Sequence, residues 1–524
     1  MIMLLSLQNH RYAKYIGASD EHDVALLDLR LYDDVQNESP ADQGSFRKVG
    51  QGVFFHQFAD SDSPTHAHDL QEVDNIERLV APHGDALIKL YFRVIHPNYP
   101  ILQKKVFLEK YTRSYREFSP PVLAAVYILA LNWWSYSPEL TDLPKPNVSA
   151  LEDIAFRSFY DVAQRAKLST VQAGLLLLQR PSLYSSWQLT CQLVAIGQDL
   201  GLNLDSSTWR IPDWERRLRK RLAWALFMQD SWSALIYGRP PHIHSSNWAV
   251  QPVTDEDFVE ISNVRTEPDT IADFEKGRIL FTSMITLTKM LAEVLEALYS
   301  QKAEMEIRQS FDSTKAVLER AKPIQLKLRS WYAEMPEVLR MDTSSPHQLS
   351  SVGYLHLAYF ATEITLHRRV IRSLSRSTDP YMVQICRSAA KARLISAMDF
   401  FNRLKPGHLQ SFWYFASKFN FALIGTFAGL CLVTAVSQEE AEFYQRRLQE
   451  YRWTLKVSNK SVEFLEIASG ILESAVGVLL KTADSIDSRQ LHFPLSTYVK
   501  EGEQARGGAM TGEHNELYGG RTDM

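Results

Sequence analysis

From about Asn75 to Asp484 the chain is a succession of apolar stretches at helical spacing, broken by proline and polar turns. Nothing else constrains the fold as strongly, because a 3.6-residue apolar period cannot serve as a strand. The segment DALIKLYFRVI (Asp85–Ile95) predicts a helix that stops at His96-Pro97, since proline disfavours α geometry in the residue before it. Pro120-Pro121 opens an apolar run through Trp133-Trp134, proline being acceptable in a first helical turn. Further helices are expected at about 151–168, 183–200, 214–237, 270–300 and 311–332, and then at about 351–376, 380–404, 410–436, 439–455 and 461–484. No alternating apolar/polar pair is joined by Asn-Gly or Asp-Gly, the strongest hairpin signal. The expected fold class is all-α. One large multi-helix body occupies 71–490, an irregular linker-like segment 1–70 precedes it, and a disordered tail 491–524 follows.

Charge and cysteine content exclude several function classes. Against 57 Lys and Arg stand 61 Asp and Glu, a net charge of −4, so nucleic acid or an anionic membrane is not bound through bulk charge. Three cysteines in 524 residues make neither a disulfide framework nor a four-cysteine zinc ribbon. The 16-residue run Phe421–Val436, with Gly425 and Gly429 spaced as G-x-x-x-G, is short of the about 20 residues a spanning helix needs. It reads as a buried core helix, and no membrane association is expected.

Catalytic signatures are missing from the sequence: there is no G-x-S-x-G, P-loop, H-E-x-x-H or C-x-x-C. Gly50 and Gly52 form a lone G-x-G. His66-Ala-His68 and His242-Ile-His244 each supply two ligands where a metal site needs three or four, so both read as loop histidines. No catalytic, cofactor-binding or metal residue is assigned.

The information lies between Ser182 and Phe258. A helix carrying Trp187, Cys191 and Val194 at helical spacing ends near Gly201, which suits a left-handed cap. Asp213 is placed to cap the next helix. Arg216, Arg217, Arg219, Lys220 and Arg221 then put five cations in its first turns, where each opposes the helix dipole by about 0.3–1 kcal/mol when exposed. Such a run is a solvated face paired with Glu215 or Asp213, or else a nuclear-import signal or acidic-partner patch. Asp230 follows inside an apolar half-helix, where an unpaired carboxylate is costly. A pair with Arg239, or with Arg221, is expected. Trp224, Asp230, Arg239 and His242 are the candidates for contacting a ligand or partner, with a fold-fixing role as the alternative.

These residues carry a resemblance. AIGQDLGLNLDSSTWRIPDWERRLRKRLAWALFMQD, the turn Tyr237-Gly238-Arg239-Pro240 and the segment Asp255–Phe258 resemble the central signature of the fungal-specific transcription factor domain, the middle homology region of the binuclear zinc-cluster regulators. His96-Pro97-Asn98-Tyr99-Pro100-Ile101 with Phe107 is similar to the mark near that domain's start, and Arg11–Leu29 to the segment that often precedes it. The likeness covers roughly 75–485, with a looser similarity to the nitrogen-utilisation co-activators of the family. It implies a nuclear transcription regulator or co-regulator of metabolic genes, not an enzyme, with other transcription regulators or co-activators as partners and a small metabolite as effector. The family's zinc cluster needs six cysteines, whereas this chain has Cys191, Cys386 and Cys431, each in an apolar helical stretch and read as core. Zinc and direct DNA contact are therefore expected only through a missing upstream module or a partner. A non-transcriptional interaction scaffold, and a cytosolic enzyme on a helical scaffold, are the competing readings.

Overall fold

The computed structural model describes residues 4–485, apart from 8–9, 35, 64–65, 181–185, 260–267, 342–348 and 459–461. The expected tail, 491–524, and the start of the helix expected at 183 lie outside the described residues.

Helices dominate. In chain order they are α1 Val24–Asp28, α2 Asp69–Val80, α3 Gly84–Val94, α4 Lys104–Arg113, α5 Pro120–Leu131, α6 Val148–Ala163, α7 Leu168–Leu177, α8 Ser186–Asp199 and α9 Asp213–Tyr237. Then come α10 Pro268–Tyr299, α11 Gln301–Gln309, α12 Ser313–Ala333, α13 Val352–Ser373, α14 Pro380–Asn402, α15 Pro406–Leu409, α16 Ser417–Val433, α17 Gln438–Ser458 and α18 Glu463–Ser485. The all-α class is borne out: one continuous apolar core runs from Val73 on α2 to Val476 on α18. Helices α5, α7 and α13 lie deepest. Every residue of α5 is buried, including Pro120 and Pro121 at its start.

Residues 11–59 are more ordered than their polar, turn-rich sequence indicates. Strands β1 Arg11–Ile16, β2 Glu38–Pro40, β3 Ser45–Gly50 and β4 Val53–Ala59 form an antiparallel sheet in the order β1-β4-β3-β2. Both of its faces bury apolar residues. Ala13, Val49 and Phe55 pack with Leu5 and with Trp209 and Ile211 from the loop before α9, while Ile16, Phe46 and Phe54 pack with Leu27 of α1. A strand buried on two sides loses the alternation that would mark it. The β3–β4 turn is Gln51-Gly52, with Gly52 at φ +65°, so Gly50 and Gly52 belong to a hairpin.

The apolar run after Lys418 is α16, with Phe421, Ile424 and Phe427 buried. Its Gly425 and Gly429 let α18 approach: a β-carbon at Gly425 would lie 2.5 Å from a Leu472 methyl. Among the described residues no helix is long and apolar enough to cross a membrane.

Candidate functional site

Helix α9 is the hub. Its N-terminal turns carry the cation run, of which Arg219 and Arg221 are buried and Arg216, Arg217 and Lys220 half-buried. Glu215 and Arg219 are one turn apart and buried, with 3.3 Å between Arg219 Nε and Glu215 Oε1. Glu215 also accepts the backbone N–H groups of Leu5 (3.0 Å) and Ser6 (3.1 Å). Arg219 donates to the Leu200 carbonyl at 2.8 Å and to the Ser6 hydroxyl at 2.5 Å, and its guanidinium lies 5.1 Å over Trp209. Burial pulls the Arg219 guanidinium below its ordinary value, and Glu215 opposes that fall. Arg216 holds Asp213 and the Trp209 carbonyl. Lys220 reaches Asp257 at 2.9 Å, and Arg221, fully buried, donates to the Asp257 carbonyl and lies over Phe258.

A surface patch needs its charges in solvent. Here Arg219 and Arg221 are buried, Arg216 and Lys220 hold partners within the chain, and Arg217 is half-buried, so only part of the run's charge stands in solvent. It fastens the N-terminal segment, the 205–211 loop and the 254–258 turn to one helix. Asp213 is the first residue of α9, and no side chain caps that helix from Pro212.

The expected Asp230–Arg239 pair is not formed. Gly238 takes the left-handed conformation (φ +61°) at the end of α9 and reverses the chain, so that His242, not Arg239, returns to Asp230. The buried carboxylate accepts His242 Nδ1 at 2.7 Å and the backbone N–H groups of His242 and Ile243, each at 2.8 Å. Burial raises the Asp230 carboxyl above its usual range, and the bonds from Ile243 and His242 pull it back. Arg221 serves the 254–258 turn and not Asp230.

Arg239 is exposed, with its guanidinium 5.2 Å over Trp187 of α8 and 5.8 Å over Tyr237. The His242 ring lies 4.5 Å from that of Trp187. Three of the four sequence candidates thus meet around Trp187, leaving a cation and aromatic rings at the surface over a buried carboxylate. Trp224 does not join them. It is buried on another side of α9, where its indole donates to the Gln251 carbonyl at 2.9 Å and packs against Trp248 and Phe227. Behind the cluster is a polar seam invisible in any motif. Gln229 donates to Ser233 (3.1 Å) and Thr190 (3.3 Å), and Gln179 accepts the Phe415 N–H at 3.1 Å.

Cys386 and Cys431 are buried as expected, but Cys191 is exposed on the outer side of α8. These three cannot fill a six-cysteine cluster, and among the described residues no group of three or more His, Cys, Asp and Glu could hold a metal ion. Gly201 caps α8 at φ +65°, as its position predicts.

The described residues thus form a helical body organised around an arginine-rich, half-buried helix. Residues 88–333 match the fungal specific transcription factor domain, so the chain carries the domain found in a family of fungal transcription regulators. It is 38% identical over 500 residues (88% of this chain, 51% of the relative) to the transcriptional activator protein DAL81 of Saccharomyces cerevisiae. It is 26% identical over 379 residues (68% of this chain, 44% of the relative) to the acetamidase regulatory protein of Emericella nidulans. A transcriptional regulatory protein of Schizosaccharomyces pombe is 30% identical over 223 residues, 42% of this chain and 33% of the relative. The chain spans about half the length, or less, of these curated relatives. No solved structure matches.

Proposed function

We propose that this chain is the helical regulatory body of a nuclear transcription regulator of metabolic genes, nitrogen-utilisation genes foremost. The observation that carries the reading is the similarity to a transcriptional activator over 88% of the chain. Its DNA contact comes from a partner regulator, or from a zinc-cluster module outside this chain, because three cysteines do not fit that cluster. The surface formed by Arg239, Trp187 and Tyr237 is the part of the α9 region that a partner or effector meets, since the other candidates are internal wiring.

The test is to tag the chain at its own locus and follow chromatin occupancy, localisation and transcript levels when the nitrogen source is changed. Nuclear enrichment, promoter occupancy and loss of induction on deletion are expected. Exclusion from the nucleus in every nutrient condition, or an unchanged transcriptome on deletion, would sink the reading.

A further inference from the structure

The N-terminal sheet carries an apolar surface that the described residues leave uncovered. Helix α1 is seated by Leu27, which packs with Ile16, Phe46 and Phe54. Its neighbours face solvent: Leu26 is 67% exposed, Leu29 82% and Leu31 92%. Single exposed leucines are ordinary, but three within six residues form the kind of patch that marks an interaction site. The segment that presents them is fastened. Tyr32 donates to the Leu27 carbonyl at 2.9 Å, and Arg30 to the Ser39 hydroxyl at 3.2 Å and the Pro40 carbonyl at 2.5 Å. The Arg30 guanidinium also lies 5.1 Å over Phe46. Backbone held in place in this way loses little freedom when a partner covers it.

The charges around the leucines decide what covers them. Asp20, Glu21, Asp23, Asp28, Asp33 and Asp34 stand in the same stretch, against Arg30 alone among arginines and lysines, in a chain otherwise close to balance. Arg30 is turned onto β2 and Phe46, and Lys48 of β3 pairs with Asp28. Glu21 and Asp34 are exposed. The surface is thus apolar at its centre and negative around it, and interfaces match potential with the opposite sign. A second copy docking through the same patch would set acid against acid across a two-fold axis. An anionic membrane surface and nucleic acid are repelled for the same reason. A basic amphipathic helix meets both demands, with an apolar stripe for the leucines and flanking cations for the carboxylates.

We infer that the α1 patch docks a basic amphipathic helix of a partner protein, whose apolar stripe covers Leu26, Leu29 and Leu31 and whose lysines and arginines meet the surrounding carboxylates. The surface is independent of the transcriptional reading and is testable on the purified chain.

The experiment is fluorescence anisotropy with a labelled peptide of about 18 residues, five helical turns, built of leucine and lysine at helical spacing. A leucine–glutamate peptide of the same pattern is the comparison. The lysine peptide is expected to bind tenfold or more tightly than the glutamate one, and added salt should weaken it. Combining Leu26→Ser, Leu29→Ser and Leu31→Ser, which leaves the net charge unchanged, should weaken binding at least tenfold. Glu21→Gln with Asp34→Asn should weaken it several-fold. Tyr381→Ser with Ile385→Ser, at exposed apolar positions on α14, should change nothing. Melting curves establish that each variant is folded, and Leu31→Ser alone, outside α1, keeps the test valid if the triple variant is not. No binding at about 100 μM peptide, equal binding of the two peptides, or binding that survives the leucine substitutions overturns the inference. So does a leucine-dependent dimer in sedimentation velocity, or leucine-dependent binding to phosphatidylserine vesicles, since either gives the patch another occupant.

Discussion

Gly277, in the middle of helix α10, rests directly on the carbonyl of Pro97: a β-carbon at Gly277 would lie 2.1 Å from that oxygen. The loop His96-Pro97-Asn98-Tyr99-Pro100 thus docks backbone-to-helix, and only glycine allows the approach. The same loop buries His96 and Tyr99 in the core.

Gly277→Ala tests this contact. In an exposed helix interior the change is worth about 0.5–1 kcal/mol of added stability. Here backbone must move, so overpacking wins, with a net loss of about 2–3 kcal/mol expected. Gly470→Ala is the control, since nothing lies within 4 Å of a β-carbon at that exposed position on α18. It should stabilise. Denaturant melts of the two variants check the pair, and equal effects would disprove the close approach.

Glu215 and Arg219 tie the N-terminal sheet to the body, and removing one partner leaves a buried charge. Arg219→Met should cost about 3–5 kcal/mol. Glu215→Ala should also free Leu5 and Ser6, whose N–H groups it accepts. Limited proteolysis is then expected to cut within the first 60 residues well before the helical body. Cleavage at wild-type rates would mean that the other contacts, such as Trp209 and Ile211 against the sheet and the Lys167–Asp60 pair, hold it without Glu215.

Asp230 makes three bonds to the 242–243 turn, and His242 makes one of them through its ring. His242→Ala removes a single partner and should cost about 1–2 kcal/mol. Asp230→Ala leaves two part-buried N–H groups and the ring without an acceptor, and should cost at least about 1 kcal/mol more. Similar costs would show that the backbone bonds contribute little. Arg239→Ala, by contrast, removes an exposed side chain that overlies only the half-buried rings of Trp187 and Tyr237. It should leave the melt unchanged but alter reporter output at equal protein level, and an unchanged output would remove Arg239 from the functional surface.

The helices were legible because each large element carries an apolar stripe; the ends expected for α3, α10, α12 and α14 fall within a few residues of those observed. Helix α7 was not, because VQAGLLL is apolar all round and shows no period. The sheet was hidden by burial on both faces. For the cation run, sequence showed that something must offset the helix dipole. It could not show what, since the partners stand at Ser6, Leu200 and Asp257, far away in the chain. The cost of burying Asp230 was legible too. Its partner was misassigned because the nearest cation was favoured over the residue that a left-handed Gly238 brings back.

Two titrating groups on α13 give the protein a pH signature. Glu363 is buried, and although Arg393 of α14 lies 2.8 Å away, burial pushes its carboxyl up from 4.5 to about 7. One turn later, burial pulls His367 down from 6.5 to about 4, assisted by Arg393. The folded protein therefore holds an extra proton on Glu363 between pH 4.5 and about 7, and its stability rises as pH falls through that window. It lacks a proton on His367 between about 4 and 6.5, and there stability falls with falling pH. The two slopes oppose each other over most of the range, which predicts a flat profile from this pair in the wild type. Glu363→Gln deletes only the first slope. The variant should be about 1–3 kcal/mol more stable than wild type at pH 8. That advantage should vanish by pH 5, where Glu363 is protonated anyway and the unopposed histidine slope makes the variant fall off steeply below 6.5. Thermal melts of both proteins at pH 8, 6.5 and 5 decide it: a stability difference independent of pH would mean that Glu363 stays ionised throughout and that its pair with Arg393 outweighs its burial.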